Sequence, residues 1–229
     1  MNGYQNNSTN NNIELPTWES VRLWCDAHGT LPATFVEQVN SGMFPRDAFS
    51  LGQLASKFWM LEYLQAINMP QNKICVILGC WIGSIVPLLY RDHALERIYG
   101  LDMDPVAISK AEVFNRRFLT DWKFKGVVQD ISLLDTSRMQ FETGGELIDI
   151  TPDIVINTSC EHMSTDWFET ASNKQLIIMQ TNDSPDFDGH INICDSVEHM
   201  QDKYPLSNTL MSGSLKTPVY TRFMQIGYK

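Results

Sequence analysis

The sequence has no long run of lysine or arginine that would form a basic surface. Its 229 residues carry a formal net charge of −10 at pH 7. Because an acidic surface repels phosphate backbones, a large nucleic-acid footprint is not expected. The same charge is compatible with small molecules, cationic substrates or a protein partner.

The cysteines are few, and their spacing fits neither a disulfide framework nor a zinc knuckle. There are five of them, without a C-x-x-C pair, at Cys25, Cys75, Cys80, Cys160 and Cys194. This usage is typical of a reducing compartment, and no metal site is expected from it. The first residues also lack a basic stretch followed by an apolar one, so the predicted location is the cytoplasm.

Long hydrophobic runs are scarce as well, and a single one could concern a membrane. Residues 74–90 are almost wholly apolar and lie between Lys73 and Arg91, as the residues of a membrane span would. They number about 17, the lower end of the spanning range. Two glycines and a proline would weaken a lone helix there, so a soluble interpretation is favoured and no membrane partner is expected.

The favoured interpretation of this run is a buried strand, a glycine turn and a helix. Residues 74–78 are apolar and rich in β-branched side chains, as a strand buried on both faces requires. Gly79 and Gly83 allow the backbone to bend sharply and to approach a ligand. A second strand over 97–101 ends at Asp102, roughly 20 residues past the turn. Doubly wound folds hold the ribose hydroxyls of a nucleoside with an acid at this place.

Helical spacing and short apolar runs divide the rest of the chain into helices and strands. Further strands are predicted at residues 122–128, 153–156, 175–179, 206–216 and 218–227. Helices are predicted at residues 17–28, 32–39, 50–67, 105–118, 165–170 and 194–203. Residues 132–151 are predicted to be a connection without strands. This pattern indicates an α/β fold with a doubly wound, mostly parallel sheet and a C-terminal antiparallel hairpin.

The domain organisation is predicted to be simple. Residues 1–12 are rich in asparagine and are expected to form a disordered tail. Residues 13–229 are expected to form one domain, in which the N-terminal helices, at about 13–70, cap the sheet. Because ligands bind outside the carboxyl ends of strands in such sheets, the polar residues at the strand tips should converge on one crevice.

Five motifs stand in a characteristic order along the chain. They cover residues 76–83, 100–105, 128–131, 153–157 and 161–163. In this order, within roughly residues 50–227, they resemble the motifs of the class I S-adenosylmethionine-dependent methyltransferases. The resemblance implies a Rossmann-like fold with a seven-stranded sheet and S-adenosylmethionine as the cofactor. More faintly, residues 179–190 and 219–227 resemble methyltransferase-like proteins of tailed bacteriophages.

The candidate cofactor residues follow from their positions at the strand tips and from the resemblance. These are Gly79, Trp81, Gly83, Asp102, Asp130, Ile131, Asn157 and Lys57. By the resemblance, Asp102 would bind the ribose and Asp130 would contact the adenine amine. Two positions depart from the family pattern, since Ile77 stands where an acid is usual and Trp81 stands where glycine is usual. The loss of the acid removes one cofactor anchor, and the tryptophan either crowds the loop or offers an apolar wall.

Several of these residues have alternative interpretations. Lys57 could meet a ligand carboxylate, or it could be a solvated lysine on an amphipathic helix. Asn157 could contact the acceptor or the cofactor, or it could be a turn asparagine. His162 is the candidate general base because histidine is the side chain that ordinarily changes its charge near neutral pH, and the alternative is a histidine that packs or pairs with Glu161.

The acidic loop at residues 183–190 lies where the resemblance implies acceptor binding. Asp183, Asp186 and Asp188 could recognise a cationic or amine-bearing acceptor, or they could be solvated. The loop matches a calcium-binding loop poorly, because it begins with Ser184 and has aspartate at the twelfth position.

The predicted function is methyl transfer from S-adenosylmethionine to a small-molecule acceptor, with His162 and Asn157 as the candidate catalytic residues. One alternative keeps the cofactor but transfers its aminocarboxypropyl or aminopropyl group. Another alternative is a degenerate, non-catalytic binding protein. The sequence predicts neither the acceptor nor the oligomeric state.

Overall fold

The computed structural model describes residues 25–26, 29, 37–67, 69–185, 189–217 and 219–229. Its α-helices, named here in chain order, are α1 (Leu51–Ala66), α2 (Val86–Asp92), α3 (Pro105–Phe114), α4 (Arg116–Thr120), α5 (Asp166–Glu169) and α6 (Val197–Lys203). Its strands are β1 (Ile74–Leu78), β2 (Arg97–Asp102), β3 (Phe124–Val128), β4 (Met139–Thr143), β5 (Glu146–Ile150), β6 (Ile154–Asn157), β7 (Leu176–Asn182), β8 (Asn208–Lys216) and β9 (Thr221–Tyr228).

Seven strands form one mostly parallel sheet in the order β3-β2-β1-β6-β7-β9-β8. Strand β9 runs antiparallel to both of its neighbours, β7 and β8. The register brings Leu78 of β1 beside Leu101 of β2 and beside Asn157 of β6. The predicted doubly wound sheet with a C-terminal antiparallel hairpin is therefore confirmed, and the tips of β1, β2 and β6 lie side by side.

Strand β1 lies in the middle of the sheet because both of its faces are apolar. Cys75 and Ile77 pack into a core on one side of the sheet, and Val76 and Leu78 pack into a second core on the other side. This alternation follows from the two-residue period of a strand. A continuous apolar run is what a strand covered on both faces requires.

Residues 132–151 contain a structure that the sequence analysis did not predict. They hold the antiparallel hairpin β4–β5, which turns at Gly144 and Gly145, two glycines with positive φ. On its inner face Phe141 meets the ring of Tyr99 edge-on, with the ring centroids 5.3 Å apart. The prediction of a connection without strands was wrong: polar and apolar residues alternate in both five-residue strands, which is itself a strand pattern.

The predicted helix at residues 105–118 is divided in two. The side chain of Asn115, which is fully buried, donates from Nδ2 to the carbonyls of Ala111 and Gly83. This asparagine ends α3 and precedes α4. At the start of α1, the hydroxyl of Ser50 accepts from the backbone N–H of Gln53 and caps the helix.

The apolar run of residues 74–90 forms a strand, a turn and the start of α2 rather than one helix. In the described residues, no helix has both the length and the apolar character that a bilayer crossing requires. The predicted tail at residues 1–12 lies outside the described residues, as do most of the helices predicted at 17–28 and 32–39. The boundaries of the N-terminal cap therefore stay a prediction.

Candidate functional site

A cavity of about 700 Å³ opens at the carboxyl ends of the parallel strands. Its wall comes from the turn after β1, the tips of β2 and β3, the segment after β6, helix α1 and strand β9. This volume lies within the usual range for a small-molecule site. The strand tips converge on one crevice, as the sequence analysis predicted.

The glycine turn after β1 has a backbone that few side chains tolerate. Gly79 has a φ of 63°, and Gly83 has a φ of 62°. A Cβ on Gly79 would lie 3.2 Å from the terminal methyl of Met163, so a side chain there would crowd the cavity wall. Gly83 lies under the turn instead, where a Cβ would come within 2.7 Å of Asn115 Nδ2. Gly79 therefore lines the cavity, and Gly83 shapes the turn behind it.

Asp102 joins the glycine turn to the tip of β2. Its Oδ2 accepts from the backbone N–H of Trp81 at 2.8 Å, and its Oδ1 accepts from the N–H of Asp104 at 3.0 Å. The same carboxylate lines the cavity. Asp102 thus holds the turn in place and presents acceptor oxygens to a ligand.

The tip of β3 contributes Gln129, Asp130 and Ile131 to the wall. Asp130 also caps a short 3-10 helix, because its Oδ1 accepts from the N–H of Ser132 at 3.0 Å and from its hydroxyl at 2.7 Å. The backbone N–H of Gln129 bonds the carbonyl of Asp102, so the tips of β2 and β3 are tied together. The structure therefore brings Asp130 and Ile131 to the same cavity as Asp102.

Trp81 occupies a strained position on the cavity wall. Its φ of 50° is unusual for a residue that carries a side chain. The indole is half-buried, packs against the core beside α1 and lines the cavity. Ile77 is buried and reaches the same wall, so the site has apolar contacts where the family usually has an acid and a glycine.

Asn157 is buried beneath the wall and has a local role. Its Oδ1 accepts from the N–H of Ser159, and its Nδ2 lies 3.0 Å from the sulfur of Met163. Among the described residues, Thr158 and Ser159 line the cavity where Asn157 does not. The turn interpretation of Asn157 thus has direct geometric support.

Lys57 is a buried lysine on the cavity wall. Its side chain is only 7% exposed, and its Nζ donates to Gln53 Oε1 at 2.8 Å. The interpretation of Lys57 as a solvated lysine was therefore wrong. Burial lowers its pKa to about 7, and the nearby charge of Arg222 acts in the same direction, while Asp47 opposes both.

A buried ion pair that sequence analysis missed lies beside Lys57. Arg222 and Glu161 are 4% and 3% exposed, and Arg222 Nη1 lies 3.3 Å from Glu161 Oε1. Arg222 also donates to the carbonyl of Thr158 at 3.0 Å, and Asn182 donates to Glu161 Oε1 at 2.7 Å. Both charged side chains line the cavity. The available signal was an arginine inside β9, a strand that is otherwise almost free of charge.

His162 lies at the exposed edge of the cavity. Its Nδ1 is 3.2 Å from the carbonyl oxygen of Gly189, and its ring meets the ring of His190 edge-on at 4.6 Å. Among the described residues, no hydrogen bond joins the side chains of His162 and Glu161. The position is suitable for contact with an acceptor.

The acidic loop has at least one carboxylate with a structural role. Asp183 Oδ1 accepts from the backbone N–H of Thr221 at 2.8 Å and thereby links the ends of β7 and β9. Asp186 and Asp188 lie outside the described residues.

Cys160 is fully buried, and burial raises the pKa of its thiol, so it is suited to packing rather than to nucleophilic attack.

No protein-family model and no curated protein sequence matches the chain. Solved structures with a similar fold do match it. The magnesium protoporphyrin IX methyltransferase of Synechocystis PCC 6803, with bound SAH, aligns with a TM-score of 0.53 and 17% identity, over 76% of this chain and 82% of that chain. The N-methyltransferase NodS of Bradyrhizobium japonicum WM9, in complex with S-adenosyl-L-homocysteine, aligns with a TM-score of 0.53 and 9% identity, over 77% and 88%.

A third structure with this fold belongs to a protein named for a different reaction. The [4+2]-cyclase SpnF aligns with a TM-score of 0.56 and 11% identity, over 77% of this chain and 82% of that chain. At such identities the likeness concerns the fold, and a fold can host several reactions. The chain has the fold of the class I S-adenosylmethionine-dependent methyltransferases, as the order of its motifs predicted.

Proposed function

We propose that this chain binds S-adenosylmethionine in the cavity and transfers its methyl group to a small-molecule acceptor. The observation that carries the proposal is the meeting of three strand tips. The turn with Gly79, the carboxylate of Asp102 and the segment of Asp130 line one cavity. Doubly wound folds bind nucleosides with this arrangement.

The residues present fit the cofactor along its length. Asp102 would accept from the ribose hydroxyls, and Asp130 with Ile131 would contact the adenine. Lys57 would face the carboxylate of the amino acid moiety, because it is a buried amine on the wall with no carboxylate bonded to its Nζ among the described residues. A ligand carboxylate beside it would favour its charged form. The cofactor supplies an electrophilic methyl group, and the protein supplies proximity and orientation.

The acceptor is proposed to approach from the side of His162. Asp102 and Asp130 on the described wall are assigned to the cofactor, and Glu161 is paired with Arg222, so these carboxylates do not select the charge of the acceptor. An amine-bearing acceptor is proposed because the chain carries a net charge of −10. Asp183 does not add to this argument, because its carboxylate holds Thr221.

The two candidate catalytic residues are proposed to act differently. His162 is exposed on the wall and would take a proton only if the acceptor is protonated at the working pH. Asn157 would act through the turn that it forms with Ser159, and it would position that residue rather than touch the methyl group.

Product analysis tests this proposal and separates it from the alternatives. The protein is incubated with S-adenosylmethionine and a panel of small amines, alcohols and carboxylic acids, and the cofactor products are identified by mass spectrometry. S-adenosylhomocysteine together with a methylated acceptor would support methyl transfer. Methylthioadenosine would show transfer of the aminocarboxypropyl group instead, and an unchanged cofactor across the panel would favour a binding protein.

A further inference from the structure

Three side chains of metal-ligating type meet at the mouth of the cavity. One ligand atom each from Glu161, His162 and His190 lies within 4.8 Å of the other two. Glu161 and His162 line the cavity, and His190 packs against His162. Glu161 and His162 are neighbours in the segment after β6, and His190 follows β7, so the fold brings His190 to the other two.

Glu161 has an oxygen that lacks a hydrogen-bond partner. Asn182 and Arg222 both donate to its Oε1, at 2.7 Å and 3.3 Å. Its Oε2 is buried and has no hydrogen-bond partner among the described residues. An unsatisfied buried carboxylate oxygen is costly, so this atom is available to bind a ligand.

Both histidines direct Nδ1 at a backbone carbonyl. His162 Nδ1 lies 3.2 Å from the carbonyl oxygen of Gly189, and His190 Nδ1 lies 2.7 Å from that of Ser184. Since a carbonyl oxygen can only accept, each Nδ1 is the donor, and Nε2 is the ring atom through which a neutral imidazole in this orientation would bind a metal. Metal-ligating histidines are oriented in this way by backbone carbonyls.

We propose that Glu161, His162 and His190 bind one divalent transition-metal ion at the acceptor side of the cavity. Two imidazoles and one carboxylate favour ions such as Zn²⁺, Fe²⁺ or Co²⁺ over Mg²⁺, which prefers oxygen ligands. Ligand atoms that share an ion at about 2.1 Å lie roughly 3.0–3.5 Å apart, so the three side chains draw closer when the ion binds.

Three protein ligands leave at least one coordination position open toward the cavity. An oxygen or nitrogen atom of the acceptor would occupy it. With His162 bound to the ion, the ion rather than this imidazole would orient the acceptor and lower the pKa of its coordinated atom. Binding of the ion itself does not depend on the proposed cofactor, because none of the three ligands belongs to the glycine turn or to the tips of β2 and β3.

The experiment titrates tag-free, chelator-treated protein with Co²⁺ and follows the visible d–d absorption, with Zn²⁺ competition to obtain the affinity. The expected result is one ion per chain, with binding at least about tenfold weaker in His162→Gln and in His190→Gln. His199→Gln is the matched control. His199 lies on α6, is partly exposed, pairs with Asp195 and does not belong to the cluster. Circular dichroism checks that each variant is folded.

Two results would overturn the proposal. One is the absence of a Co²⁺ band at protein concentrations of roughly 100 μM. The other is a band that persists unchanged in both cavity variants or that disappears in His199→Gln, which would show adventitious binding elsewhere. Neither readout uses S-adenosylmethionine, so the metal site and the proposed methyl transfer can fail separately.

Discussion

The cavity has two halves that are built in different ways. The nucleoside half consists of the glycine turn and the tips of β2 and β3. Asp130 accepts from the backbone N–H of Ser132, two residues away, and Asp102 accepts from that of Trp81 in the turn after the neighbouring strand β1. The other half, called the acceptor half here, faces the amino acid moiety of the cofactor and the acceptor. It holds three buried ionisable groups, Lys57, Glu161 and Arg222, from distant parts of the chain. Local sequence therefore forms the first half, and long-range pairing forms the second.

This difference predicts where substitutions are most costly to stability. Glu161→Ala leaves Arg222 buried without its counter-charge, and we expect a loss of about 3–5 kcal/mol in the free energy of unfolding. Urea denaturation measures it. The double variant Glu161→Gln, Arg222→Met should recover part of the loss because it removes both charges. As a control, Arg138→Ala breaks an exposed pair with Asp149 and should have little effect.

A loss for Glu161→Ala no larger than the loss for Arg138→Ala would show that the acceptor half does not depend on the buried pair. The proposed difference between the two halves would then be contradicted by the variant for which the largest effect is expected.

Lys57 provides a pH-dependent test of the same half. Its pKa is about 7 in the folded protein and near 10.5 when unfolded, so between these values the unfolded chain binds a proton that the folded chain does not. Lys57 therefore makes stability rise with pH across this window, by up to about 1.4 kcal/mol per pH unit. We expect the stability of wild type relative to Lys57→Met to increase from pH 7 to pH 9.5.

The measurement is urea unfolding of both proteins at several pH values. Lys73→Met, which changes a partly exposed lysine paired with Asp153, should run parallel to the wild type. Parallel curves for Lys57→Met would mean that Lys57 is not buried as a neutral amine near pH 8.

Trp81 tests the nucleoside half, and the expected effect is smaller. Its positive φ costs about 1–2 kcal/mol, a cost that glycine would not have. Trp81→Gly and Trp81→Ala lose the same indole contacts, but only the alanine variant keeps the backbone strain. We therefore expect Trp81→Gly to be more stable than Trp81→Ala by about 1 kcal/mol in urea unfolding, the reverse of the usual order.

An alanine variant that is the more stable of the two would place the turn outside the left-handed region. Asp102, whose bond to the Trp81 amide fixes the turn, would then lose its structural role.

The sequence predicted the nucleoside half because its signals are local. The apolar strand 74–78, the two glycines and Asp102 follow each other within about 30 residues, and their order alone indicates the sheet and its crevice. The acceptor half lacked such a signal, since the Glu161–Arg222 pair joins residues 61 positions apart. The sequence left the burial of Lys57 open, because burial depends on what packs over a helix. The hairpin β4–β5 was missed because each of its strands has only five residues.

Some predictions lie beyond the described residues. The tail at 1–12, most of the N-terminal helical cap, and Asp186 and Asp188 stay predictions. The faint resemblance to bacteriophage proteins likewise stays a prediction.

The central claim is that the nucleoside half binds S-adenosylmethionine through Asp102. Isothermal titration with S-adenosylmethionine, S-adenosylhomocysteine and NAD tests it most directly, on the wild type, Asp102→Asn and the control Asp104→Asn, whose residue caps α3 outside the cavity wall. We expect binding of the first two ligands and not of NAD, weakened at least about tenfold in Asp102→Asn and little changed in Asp104→Asn. An absence of binding by the folded wild type, or equal binding by Asp102→Asn, would contradict the account.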